Sequence, residues 1–86
     1  NNTSTFYLSF DIIQIGAFSD PANADKLAYK LRQEFKERFV THASNKDGKT
    51  LYRVRTDFIK NTKSADELVI KLQDKGYIVY LISEGT

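Results

Sequence analysis

The chain has 86 residues, 13 Lys or Arg against 11 Asp or Glu, a formal charge of +2 and no cysteine. That length fits one small domain with one modest core. The near-balanced charge argues against a nucleic-acid partner, the missing cysteines exclude disulfides and thiolate metal sites, and no run approaches the about 20 apolar residues of a membrane span.

The opening "NNTST" is polar and reads as a linker remnant over residues 1–6 rather than a signal peptide. A strand is predicted from about Tyr7 to Ala17. Phe10, Ile12, Gln14 and Gly16 alternate with Asp11, Ile13, Ile15 and Ala17, and both sets contain apolar residues, as in a central strand. The lone Gln14 is useless to a strand buried on both sides. It suits a strand with one wet face, where it could hold something or hydrogen-bond within the sheet.

"SDPANADKLAYKLRQEFKERF" follows. Ser19 or Asp20 can cap, Pro21 suits the first helical position, and Ala24, Leu27, Ala28, Leu31 and Phe35 make one apolar stripe. "FVTHAS" is a short β-prone segment, and "NKDGK" is a turn in which Gly48 can take a positive φ. "TLYRVRT" is the next strand. Its Tyr52/Val54 face should be core, which puts Arg53 and Arg55 on the other side. A second helix, "NTKSADELVIKLQDKGY", buries Ala65, Leu68, Val69 and Leu72. Ser64 and Glu67 have capping-box spacing, with Asn61 or Thr62 as other caps, and Gly76 ends the helix. In the last strand, "YIVYLI", either Tyr77, Val79 and Leu81 or Ile78, Tyr80 and Ile82 face the helices; the first set is preferred. Residues 7–83 form the domain and 84–86 a polar tail.

The order β-α-β-β-α-β gives an α+β, ferredoxin-like sandwich: a four-stranded antiparallel sheet with both helices on one face. The first and third strands lie side by side in its middle. Gln14, Arg53 and Arg55 then share the helix-free face. No enzyme is expected, because Ser19, Ser44 and Ser64 sit in turns or caps without a base. A metal or other cofactor is not expected either, since His42 stands alone.

"IIQIGAFSDPANADKLAYKL" followed by "LYRVRTDFIKNTKSADELVIKL" resembles the sporulation-related repeat (SPOR) domain. Its pattern is an apolar-Gln-apolar-Gly-Ala-Phe-Ser run, then Asn-Ala and a helix; Tyr-Arg-Val-Arg comes further on, then a second helix that begins near an alanine. Gln14, Gly16, Ala17, Phe18, Ser19, Asn23 and Ala24 match the first half. Tyr52, Arg53, Val54, Arg55, Phe58 and Ala65 match the second. The pattern continues its third strand with Gly-Pro-Phe, where this chain has Thr56, Asp57 and Phe58.

The resemblance implies a bacterial envelope domain, periplasmic and septal, that binds peptidoglycan glycan strands stripped of their stem peptides. Such domains target division proteins and cell-wall hydrolases, including rare-lipoprotein-A-like lytic transglycosylases, and do not cleave. The glycan-binding residues expected on this basis are Phe10, Ile12, Gln14, Gly16, Ser19, Asn23, Arg53, Arg55 and Tyr80. The arginines would pair with lactyl carboxylates, Gln14 would serve hydroxyl or N-acetyl groups, Phe10 and Tyr80 would stack on sugar rings, and Gly16 would admit the chain closely. Ser19 and Asn23 could instead only shape the turn, and Phe18 reads as a core wedge under the first helix. RNA-recognition modules share the topology but require a Lys/Arg-Gly-Phe/Tyr-Gly/Ala-Phe-Val pattern that "TLYRVRTD" lacks; protein-interaction modules share it too. A monomer is favoured, although "TFYLSFD" could pair along an edge.

Overall fold

The computed structural model describes residues 10–57, 59 and 62–84. The elements are β1 (Phe10–Phe18), α1 (Pro21–Phe35), β2 (Phe39–Lys46), β3 (Lys49–Thr56), α2 (Thr62–Asp74) and β4 (Tyr80–Glu84). The sheet order is β2-β3-β1-β4, and every neighbouring pair is antiparallel. This is the expected sandwich, with β1 and β3 central.

Local chemistry explains the element ends. Asp20, not Ser19, caps α1: its carboxylate accepts from the Ala22 N–H at 2.9 Å, and Pro21 follows as the first helical residue. Lys36 closes α1 in the left-handed region at φ 55°, its N–H donating to the Arg32 carbonyl. The β2–β3 hairpin turns on Asp47 and Gly48, at φ 53° and 78°. Two successive positive φ values are the signature of a type I′ turn, whose twist matches that of the strands it joins. Gly76, at φ 92°, ends α2. There the Tyr77 N–H donates to the Leu72 carbonyl and the Gly76 N–H to that of Gln73, a Schellman motif. Because α2 begins at Thr62, Ser64 is its third residue and the expected Ser64–Glu67 capping box does not start it. Of the other two candidate caps, Thr62 is the first helical residue and Asn61 lies outside the described residues, as does Phe58. β4 is also shorter than expected. Tyr77 and Val79 precede it and pack against the core instead of extending the ladder.

The core occupies one side of the sheet. Ile13 and Ile15 of β1, Phe39 of β2 and Val54 of β3 meet Ala24, Ala28 and Leu31 of α1 and Ala65, Leu68 and Leu72 of α2. Both helices therefore cover the same face. Tyr77 and Val79 join this cluster from the approach to β4, and Tyr80 pairs with Gln14 on the opposite face, which selects the preferred parity.

Two details of β1 depart from regular pleating. First, the β1–β3 register runs Gln14 to Arg55 and then Gly16 to Val54, so Ile15 is an extra residue, a β-bulge. Downstream of it the faces exchange. Gly16 lies opposite the buried Val54 and Ala17 opposite Arg53, the reverse of the simple alternation. Second, the buried Ile13 N–H donates to the Thr56 hydroxyl at 3.0 Å rather than to a strand carbonyl. Thr56, standing where the family pattern has glycine, thus satisfies a backbone donor at the end of the ladder. Thr56→Val keeps the shape and removes the acceptor. It should cost about 1–3 kcal/mol in urea unfolding, the penalty for an unpaired buried N–H, whereas Thr56→Ser should cost less.

Candidate functional site

The helix-free face is built from alternate residues of all four strands. Hairpin register places His42 opposite Arg53 and Val40 opposite Arg55. Across β1, Arg55 faces Gln14, and Gln14 faces Tyr80 of β4 on its other side. One row of cross-strand neighbours therefore reads Arg55, Gln14, Tyr80. Arg53 and Ala17 make the adjacent row.

These side chains line a shallow concavity of about 640 Å³. β1 contributes Gln14 and Ala17, β3 Arg53 and Arg55, β4 Tyr80 and Ile82, and β2 Ser44. Among the described residues no Asp or Glu lines it, so the two guanidinium groups face a wall without a described counter-charge. Neither the Arg38–Asp57 ion pair at 2.9 Å nor the Lys75–Glu34 pair at 3.3 Å involves these arginines. Arg53 donates its Nε–H to the Ser44 hydroxyl at 3.2 Å. Arg55 differs: its Nε is buried and has no hydrogen-bond partner among the described residues. A buried donor left unpaired is costly, and a native structure keeps few of them. Gln14 is 8% exposed, yet what surrounds it is Arg55 and Tyr80 rather than a helix. Tyr80 is 60% exposed and offers its ring to solvent.

The other expected residues fall elsewhere. Gly16 is on the helix side, where a Cβ would lie 3.1 Å from the Phe18 ring and 3.5 Å from Leu27. It admits α1, not a ligand, and the bulge at Ile15 is the cause. Phe18 accordingly packs on the core, as a wedge should. Ile12 is on the same face as Gln14 but only 6% exposed, beside Ile82, and does not line the concavity. Ser19 and Asn23 are exposed at the start of α1 and do not line it either. Phe10 pairs through its backbone with Glu84, and its side chain lies outside the described residues. Sequence reasoning missed Ala17, Ser44 and Ile82. Ser44 and Ile82 follow from hairpin arithmetic and strand parity; Ala17 reaches this face only through the bulge.

A second hollow, of about 580 Å³, lies between the end of α1 and α2. Four acids, Glu34, Glu37, Glu67 and Asp74, interleave there with three lysines, Lys36, Lys71 and Lys75, so the charges nearly cancel. The sheet face, cationic without compensation, has the stronger claim to a ligand.

The same architecture is known. The chain superposes on the SPOR domain of RlpA from Pseudomonas aeruginosa with a TM-score of 0.76 at 20% identity, over 84% of this chain and 96% of that one, a likeness of fold. It is 29% identical to the peptidoglycan binding domain of the B. subtilis cell wall lytic enzyme CwlC, with a TM-score of 0.65 over 99% of this chain and 96% of that one. A comparison with curated proteins gives no match. The SPOR domain family model matches residues 12–79, from the third residue of β1 through Gln14, both arginines and both helices to the approach to β4, and the chain belongs to the SPOR domain family.

Proposed function

We propose that this domain binds peptidoglycan without cleaving it, and that its preferred ligand is the glycan strand from which stem peptides have been removed. Family membership and the likeness to the CwlC binding domain support peptidoglycan as the partner. The narrower reading rests on charge. Removing a stem peptide from a muramic acid uncovers its lactyl carboxylate, so a stripped strand carries regularly placed anions and less bulk. The observation that carries the proposal is the buried, unpartnered Nε of Arg55 beside Gln14. A carboxylate would satisfy that donor with a charge-assisted hydrogen bond once the Arg55 side chain turns its Nε edge toward the concavity. The Gln14 amide both donates and accepts, which suits an N-acetyl group. Tyr80 supplies a flat apolar surface for a sugar ring.

Bound this way, the domain would carry its parent protein to sites in the bacterial envelope where amidases have acted, the division septum foremost. Co-sedimentation with sacculi tests this. Amidase-treated sacculi should retain more of the domain than intact sacculi at equal mass. Equal retention on both would refute the preference for stripped strands; retention on neither would refute peptidoglycan as the partner. In dividing cells a fluorescent fusion should collect at the septum and spread when the amidases are deleted.

A further inference from the structure

The two arginines of the sheet face are not equivalent, and the difference comes from β2. Arg55 stands opposite Val40, an apolar neighbour that offers no side-chain acceptor, and its Nε has no partner. Arg53 stands opposite His42 and reaches diagonally to Ser44, whose hydroxyl accepts its Nε–H. Ser44 itself pairs with Leu51 and is half-buried on the wall of the concavity. The Asp47–Gly48 turn sets this geometry, since a two-residue loop pairs Lys46 with Lys49 and thereby Ser44 with Leu51.

We infer that Ser44 is a positioning residue for the proposed glycan site: its hydroxyl holds Arg53 by Nε and keeps the terminal NH2 groups of that guanidinium as the free donors toward an anionic group. This rests on the reading above that Arg53 faces the ligand. An arginine on an exposed strand samples many rotamers, and ordering it on binding weakens affinity. A hydrogen bond already present in the free domain removes part of that cost. The hydroxyl is bonded to a side chain on a neighbouring strand, on a face no helix covers, so its contribution to folding is small. Arg55 has no such tether and its Nε is left to the ligand. The site thus combines one guanidinium ordered in advance with one completed by what binds.

A double-mutant cycle read by co-sedimentation with amidase-treated sacculi tests this, with the melting midpoint of each variant as the folding control. Ser44→Ala should weaken binding about three- to tenfold, the worth of one hydrogen bond. Ser44→Thr, which keeps the hydroxyl, should bind as the natural domain does. In an Arg53→Ala background the Ser44→Ala change should add nothing. Wild-type binding by Ser44→Ala, or losses that add in the double variant, would overturn the positioning role while leaving the site in place, provided Arg53→Ala alone weakens binding. If Arg53→Ala binds as the natural domain does, the positioning role and the ligand contact of Arg53 fall together.

Discussion

Arg55→Ala should weaken binding to amidase-treated sacculi about 10- to 150-fold, the equivalent of about 1.5–3 kcal/mol for a hydrogen bond to a charged group. It should do so without destabilising the domain. Arg55 contributes no hydrogen bond or ion pair to the fold among the described residues, and its buried Nε is already an uncompensated donor. Removing such a donor is neutral or stabilising. Loss of affinity with an unchanged or raised melting midpoint is therefore the expected pair of results. Arg55→Lys should rescue little. An ammonium is a point charge without the planar fork, and it has no equivalent of the Nε edge. Undiminished binding by Arg55→Ala would remove the carboxylate argument from the proposed function, and a large fall in the midpoint would mean that the side chain is structural.

Phe39→Ala should be the most damaging core substitution, costing about 3–5 kcal/mol. A chain of this length has a total stability of about 4–13 kcal/mol, so the variant would sit near the limit of folding. Phe39 is fully buried and is the largest of the fully buried side chains among the described residues. Its ring meets Phe35 at 6.4 Å between centroids, and its carbonyl accepts from Arg32 at 2.8 Å. It ties the end of α1 to the first residue of β2, opposite the buried Thr56. Thermal unfolding should show the midpoint at least about 12 °C lower, at about 4 °C or more per kcal/mol for a domain of this size. A shift of only a few degrees would mean that neighbouring side chains refill the space.

Most of this architecture was legible in the sequence because each element carried a local chemical mark. Asp20-Pro21, Asp47-Gly48 and Gly76 stand at three of the chain reversals, and the stripes of α1 and α2 name their buried residues without a miss. The side of the sheet that Arg53 and Arg55 occupy is readable by simple alternation, since β3 pleats regularly from Leu51 to Thr56. Phe39 was harder to see. It opens a strand whose outward residues, Val40 apart, are polar, and its depth depends on where α1 ends and not on its own neighbours in the chain. Gly16 and Ala17 were illegible for a different reason. Counting by twos assumes an uninterrupted ladder, and the extra residue at Ile15 has no compositional mark, because Ile13 and Ile15 are both core. The Ser44–Arg53 bond is likewise a diagonal contact, visible only once strand register is known.

The bulge also limits how the domain can be re-engineered. Gln14 and Ala17 are three positions apart yet look out from the same side, because Ile15 shifts the phase of the strand by half a pleat. Pairing the same residues in a regular ladder, with Ile15 no longer extra, would restore strict alternation and rotate everything from Gly16 onward, sending Ala17 inward and swinging the Phe18 ring out into water. A transplant of this strip onto another sheet must therefore carry the irregularity with it, or the two ends of the graft will point in opposite directions.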